Sequence, residues 1–145
     1  MDRSGWHLYV HPLFKKRFDD LVEASGRQSG TQERLQAKVL RRLLDLIEKE
    51  IPANPNAPGY LLGNTLGPEH RHWRRAKFFG RYRLFFRFSS AQKIIVFAWL
   101  NDEQSLRKEG SATDPYRIFR NRLDAQRPPD DWDDLLAQSR PLGPG

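Results

Sequence analysis

Residues 73–100 read WRRAKFFGRYRLFFRFSSAQKIIVFAWL, and the spacing of the apolar residues in this stretch decides the fold class. The runs 73–79, 81–88 and 93–100 are rich in aromatic and β-branched residues, with turns at Gly80 and at Ser89 to Gln92. They predict three strands in an antiparallel meander. Successive side chains of a strand point to opposite faces. Arg81, Arg83, Phe85 and Arg87 therefore share one side of the middle strand, and Tyr82, Leu84, Phe86 and Phe88 the other. In the preceding strand Arg75, Lys77 and Phe79 lie opposite Arg74, Ala76 and Phe78. Ala76/Phe78 and Leu84/Phe86/Phe88 are the expected core sets, which leaves Arg75, Lys77, Arg81, Arg83 and Arg87 to converge on an exposed basic floor.

Upstream, Trp6 to Val10 reads as a short strand. Pro12 suits the first position of a helix, and Leu13, Phe14, Phe18, Leu21 and Val22 recur at helical spacing up to Gly26, giving a helix over 12–24. Thr31 can cap a second helix whose stripe of Leu35, Val39, Leu40, Leu43, Leu44, Ile47 and Ile51 stops at Pro52, with Arg34, Lys38, Arg41, Arg42 and Lys49 on the solvent face. Residues 52–72 form a Pro-, Gly- and Asn-rich loop whose glycines fit neither the dinucleotide fingerprint nor the P-loop. Downstream, Asn101 or Asp102 can cap a short helix ending near Gly110, and Thr113-Asp114-Pro115 starts another that carries Tyr116, Ile118, Phe119 and Leu123. An acidic segment around Trp132 is read as one helical turn before a fraying Pro-Gly tail over 130–145. The sum is an α+β fold: an antiparallel meander with an N-terminal strand, two N-terminal helices on one face, short C-terminal helices, and the other face open.

The 145 residues suit a single domain over 1–145. Aromatics at 12% argue against disorder, and zero cysteines exclude disulfides, thiolate metal sites and thiol nucleophiles. No run spans a bilayer and the start does not read as a signal peptide, so a cytoplasmic location is expected. The net charge of +7 and pI near 10 call for acidic partners. Between Glu69 and Asp102 there is no acid, while Arg71, Arg74, Arg75, Lys77, Arg81, Arg83, Arg87 and Lys93 alternate with aromatic rings. Cations that neutralise phosphates, interleaved with rings that stack on bases, suit nucleic acid. Arg74, Arg81, Arg87, Phe85, Lys93 and His70 are the candidate RNA contacts.

The strand Gly80-Arg81-Tyr82-Arg83-Leu84 resembles one of the RelE-fold toxins. That resemblance implies cleavage of RNA by its own 2′-oxygen, which needs a proton acceptor, cations for the charge on phosphorus and a proton donor for the leaving oxygen. With no carboxylate on the floor, arginines must supply the phosphate stabilisation. His72, beside His70, is the candidate imidazole acid or base. A His-x-His pair without Cys or paired acids does not call for metal, and neither a metal nor a cofactor is expected.

The resemblance to RelE-fold toxins lies in their Gly-x-Tyr-Arg-Leu strand. A closer resemblance, to the YhaV toxins of PrlF–YhaV systems, runs through most of the chain. Its residues are Gly5-Trp6 with Tyr9 and His11-Pro12, Asn54-Pro55, Trp73 to Lys77, Trp99-x-Asn101-Asp102-Glu103 with Leu106-Arg107, Thr113-Asp114-x-Tyr116, and Pro128-Pro129-x-x-Trp132. The resemblance implies a RelE-like ribonuclease that stops translation and growth. It also implies control by a PrlF-like antitoxin with an AbrB-type DNA-binding domain, in a hetero-oligomer able to bind operator DNA. On this sequence the basic strand pair falls on Arg75 and Lys77, the strand arginine on Arg83 and a tyrosine on Tyr116. The arginine after the last strand is replaced by Asn101 and Asp102, with Arg107 as its substitute. A non-catalytic RNA- or ribosome-binding module, and a toxin of the same fold acting on a protein, stay open as alternatives.

Overall fold

A computed structural model describes residues 1–27, 30–103 and 113–143. Strands β1 (Asp2–Arg3) and β2 (Trp6–Val10) lead into helices α1 (Pro12–Ser25) and α2 (Gly30–Asp45). A π-helical turn at Leu46–Glu50 and a short helix α3 (Ile51–Ala53) continue α2. Strands β3 (Arg74–Phe78), β4 (Tyr82–Ser89) and β5 (Ile94–Leu100) form the predicted meander. Helices α4 (Pro115–Asp124) and α5 (Trp132–Gln138) and a two-residue strand β6 (Arg140–Pro141) complete the order. The sheet runs β1-β2-β5-β4-β3, with β2 parallel to β5 and β6 antiparallel to β2. No helix among the described residues is long and apolar enough to cross a membrane.

The starts of α1 and α4 act as read, whereas Thr31 does not cap α2, which already includes Gly30 and Thr31. His11 caps α1 by accepting the Leu13 N–H at Nδ1, and Asp114 caps α4 by accepting the Tyr116 N–H, each just before a proline that has no N–H to satisfy. The stripe of α2 does not stop at Pro52. The π turn before it lets Pro52 sit within α3, whose first turn needs no proline N–H.

Alternation places Ala76, Phe78, Tyr82, Leu84 and Phe86 on the face covered by α1 and α2, together with Phe14, Leu21, Val39, Leu43 and Ile47. The β5 strand switches parity. Phe85 pairs with Trp99 but Phe86 with Phe97, so a bulge at this step leaves Ala98 without an opposite residue. Ile95, Phe97 and Leu100 consequently serve the first core, and Val96, Ala98 and Trp99 the second.

That second core corrects the expectation of an open face. Helices α4 and α5 lie across it and bury Tyr116, Phe119, Leu123 and Leu135 against Trp73, Phe85, Val96 and Trp99. The loop over 52–72 is packed as well: Leu62 and Leu66 join this core, and Leu61 bridges to Arg74. The tail is also more ordered than expected. Asp131 caps α5 by accepting the Asp134 N–H, Asp133 and Asp134 complement the helix dipole, Leu135 is buried, and Arg140 pairs with Val10. The helix expected to end near Gly110 lies outside the described residues.

Phe119 is the centre of the second core, stacked on Phe85 at 4.2 Å and on Trp99 at 5.6 Å, with Trp73 edge-on at 5.0 Å. It is fully buried. Phe119→Ala should lower stability by about 3–5 kcal/mol, read from the shift of the chemical denaturation midpoint at unchanged slope.

Candidate active site

The meander and α4 meet where Arg75 (β3), Arg83 (β4) and Tyr116 (α4) converge. Register sets the first two: Arg75 pairs with Phe85 and Lys77 with Arg83, so all point to the α4 side of the sheet. Tyr116 enters because the Asp114 cap and Pro115 start α4 over this corner, where its ring packs edge-on to Phe85 at 5.7 Å.

The Tyr116 hydroxyl accepts hydrogen bonds from Arg75 Nη1 at 3.1 Å and Arg83 Nε at 2.9 Å. Both lone pairs of the hydroxyl are thus engaged by the two guanidinium groups. Arg75 Nη2 donates to the Gly59 carbonyl at 3.1 Å, and Arg83 Nη1 to the carbonyls of Gly80 and Tyr82, each at 3.0 Å. Asn101, fully buried, accepts the Arg83 N–H at 2.8 Å and donates to the Arg81 carbonyl at 3.1 Å, fixing the end of β4 against the end of β5.

Every acceptor named for these guanidinium groups is neutral. Among the described residues, no carboxylate lies within ion-pair distance of Arg75, Lys77 or Arg83. Arg83 is nevertheless buried and Arg75 half-buried, with its Nε–H unpartnered among the described residues. Positive charge held in place, partly desolvated and left uncompensated is a site for an anion, and planar guanidinium forks match phosphate oxygens.

The histidines belong to a second cluster at the other end of the same face. One oxygen of Asp130, Oδ1, lies 2.8 Å from His70 Nδ1 and 2.9 Å from His72 Nε2 and accepts from Trp73 Nε1 at 2.8 Å. Arg87, between the rings of Trp73 and Trp132, donates to the Asp130 carbonyl. Arg83 and Arg87 are four residues apart, roughly 13 Å at about 3.3 Å per residue, and the Phe85–Phe119 stack stands between the clusters. His72 is therefore not brought to Arg75 and Arg83. His70, His72 and Asp130 also form a converging set of potential metal ligands, their ligand atoms within 4.8 Å of one another, but the facing nitrogens are already paired with the carboxylate.

The other candidates scatter. Phe85 is fully buried beneath Phe119 and cannot stack on a base, because α4 occupies the face that alternation left open. Arg74 turns to the opposite face, bonded to the Arg71 and Trp73 carbonyls and Asn56. Lys93 lies over Trp6 at 4.9 Å, away from the arginine pair. Arg81 and Lys77 are exposed at and beside the β3–β4 turn. Arg107 lies outside the described residues. Sequence reading missed Asp130, Asn101 and the Gly59 carbonyl; only Asp130 carried a signal, as an acid close to the Trp132 motif in a basic chain.

The Asp130 cluster responds to pH in a calculable direction. Burial, then the Arg87 charge, hold the His72 imidazole below its ordinary range against the pull of Asp130. Burial likewise lowers His11, opposed by its bond to Gln138. The unfolded chain then takes up protons at a higher pH than the folded one, so stability falls on acidification through the imidazole range. Burial pushes the Asp130 carboxyl up, but bonds from Trp73 and His70 outweigh it and hold it low, so its contribution disappears only at lower pH. The melting temperature should fall between about pH 7 and about pH 5, and by less in His72→Gln; an equal fall in both would show that His72 does not contribute.

Over residues 8–140 the chain matches the family model described as a toxin with endonuclease activity, of toxin-antitoxin system. It is 40% identical over 143 residues to Toxin YhaV of Escherichia coli O6:H1, an alignment that covers 94% of this chain and 93% of that one. The same identity and coverage relate it to Ribonuclease toxin YhaV of Escherichia coli K12. Matched in this way over nearly its whole length, the chain belongs to the YhaV toxin family.

Proposed function

We propose that the chain is an endoribonuclease toxin, a single cytoplasmic domain over 1–145 that cuts RNA on or off the ribosome and so arrests translation and growth. The observation that carries this reading is the uncompensated Arg75–Arg83 pair on the Tyr116 hydroxyl, in a family described by endonuclease activity and with a relative named as a ribonuclease toxin.

The chemistry follows from these groups. The 2′-oxygen of a ribose attacks the adjacent phosphorus while its proton passes to solvent water, the bond to the 5′-oxygen breaks as that oxygen takes a proton from water, and the products are a 2′,3′-cyclic phosphate and a 5′-hydroxyl. Arg75 and Arg83 bind the non-bridging oxygens, whose charge rises in the transition state, and exposed Lys77 adds a third cation. The Tyr116 hydroxyl, accepting from both arginines, holds the two guanidinium groups at the spacing that meets the phosphate. The neutral carbonyls and hydroxyl that hold the guanidinium groups fix their geometry without cancelling their charge, so little reorganisation accompanies reaction. Control falls to a PrlF-like antitoxin with an AbrB-type DNA-binding domain, whose complex with the toxin binds operator DNA.

Purified protein incubated with RNA, with and without ribosomes and in EDTA, should yield fragments ending in 2′,3′-cyclic phosphate. Arg75→Ala should slow cleavage by about 10²–10³-fold, the range for removing one donor from a preorganised anion site, with an unchanged circular dichroism spectrum. Tyr116→Phe should slow it as well. RNA binding without a cyclic-phosphate product would overturn the enzymatic reading, as would an Arg75→Ala protein that cleaves normally.

A further inference from the structure

The loop joining β3 to β4 contains a residue that the fold does not account for. Phe79 has φ of 49° and is followed by Gly80 with φ of 74°. Left-handed backbone suits glycine or asparagine, and for a residue with a bulky side chain it costs about 1–2 kcal/mol. The side chain offers no evident repayment in burial: Phe79 is 45% exposed, with Phe78 against its ring at 5.6 Å. An Asn-Gly turn would serve the hairpin better.

Its surroundings are cationic. Lys38 Nζ of α2 lies 5.3 Å from the Phe79 ring centroid. Leu35, Lys38, Phe79, Arg81 and Tyr82 line a cleft of about 330 Å³ between α2 and the hairpin. One wall is fixed from below, where the Tyr82 hydroxyl donates to Glu103, which also accepts from Gln36 of α2 and Arg17 of α1. Arg34, Lys38 and Arg41 are exposed on successive turns of α2, and among the described residues they and Arg81 have no ion-pair partner. The cleft opens on the α2 side of the sheet, opposite the Arg75–Arg83 corner, and the two are linked around the tip of the hairpin, where Arg83 Nη1 bonds the Gly80 carbonyl.

We infer that the cleft between α2 and the β3–β4 hairpin is a single-stranded RNA subsite, in which a base beside the scissile phosphate stacks on Phe79 while Lys38 and Arg81 take the neighbouring phosphates. A partly exposed ring among unpaired cations has the composition of a stacking platform. Continuity with Arg83 favours RNA over an acidic peptide, because a strand whose phosphate lies on Arg75 and Arg83 is led past the hairpin. The strained backbone of Phe79 is then the local cost of presenting the ring outside the core. The choice of RNA rests on the ribonuclease reading.

The test measures binding apart from cleavage, with a single-stranded 2′-O-methyl oligoribonucleotide that has no 2′-hydroxyl to attack. Phe79→Asn removes the ring and suits the left-handed turn, so it should melt no lower than the parent yet bind the oligonucleotide about 5- to 150-fold more weakly, the range of base–aromatic stacking. Phe79→Tyr should bind as the parent does. Equal binding by the parent and Phe79→Asn overturns the subsite, and so does a Phe79→Asn protein that binds RNA normally but escapes its antitoxin, which would assign the cleft to the protein partner. A parent that binds the oligonucleotide through Phe79 but cuts no RNA sinks the ribonuclease reading and leaves the subsite standing.

Discussion

Two guanidinium groups on one phenolic oxygen repel each other, and with no carboxylate between them among the described residues the scaffold has to hold them together. The scaffold here is the second core. Arg75 and Arg83 are fixed by the β3–β4 register, and Tyr116 by the cap and proline that start α4. The stack of Phe119 on Phe85 clamps α4 to the sheet. Folding energy from apolar burial thus opposes the repulsion and holds a phosphate-shaped concentration of positive charge. The β5 bulge belongs to the same device, because by switching parity it brings Trp99 under Phe119 while Leu100 stays in the first core.

The opposite face serves as foundation. Helices α1 and α2 pack on Phe86, Phe97 and Leu84, and Glu103 ties Arg17, Gln36 and Tyr82 together just after β5. Burial, then the bond to Glu103, push the Tyr82 phenol up to about 12, so it stays a neutral donor at this junction across the physiological range. A meander anchored this way presents its hairpin loop at a fixed height beside Arg83.

Much of this was legible in the sequence because alternation is a local property. The face shared by Arg75, Lys77 and Arg83 follows from counting by twos, and the starts of α1 and α4 follow from His11-Pro12 and Asp114-Pro115. What covers a face is a non-local property, and there local reading failed. Phe85 sits among arginines in sequence and so suggested an exposed stacking ring, yet it lies beneath a helix that begins thirty residues later. Asp130 reads as one acid in an acidic tail, but the fold carries it back to His70, His72 and Trp73, some sixty residues upstream. The bulge left no mark in the uniformly apolar run Ile94–Leu100, where either parity is hydrophobic.

The two ends of the α4 face hold their arginines in different ways. Both have arginines on β4 beside aromatic rings, and composition alone gave them equal standing. At the Arg87 end a carboxylate completes the set: Asp130 gathers two imidazoles and an indole on one oxygen, and its carbonyl takes the guanidinium. The charges of Asp130 and Asp131 act on Arg87 there, and the cluster's physical effect is to fasten the chain before α5 to the start of β3. At the Arg83 end the acceptors are a hydroxyl and three carbonyls, which orient the guanidinium groups but neutralise nothing. A stable fold would gain from a carboxylate at that corner. Among the described residues none pairs with Arg75 or Arg83, and an acid added there would compete with an incoming anion for the same donors, so the corner's affinity for an anion depends on its remaining electrostatically incomplete.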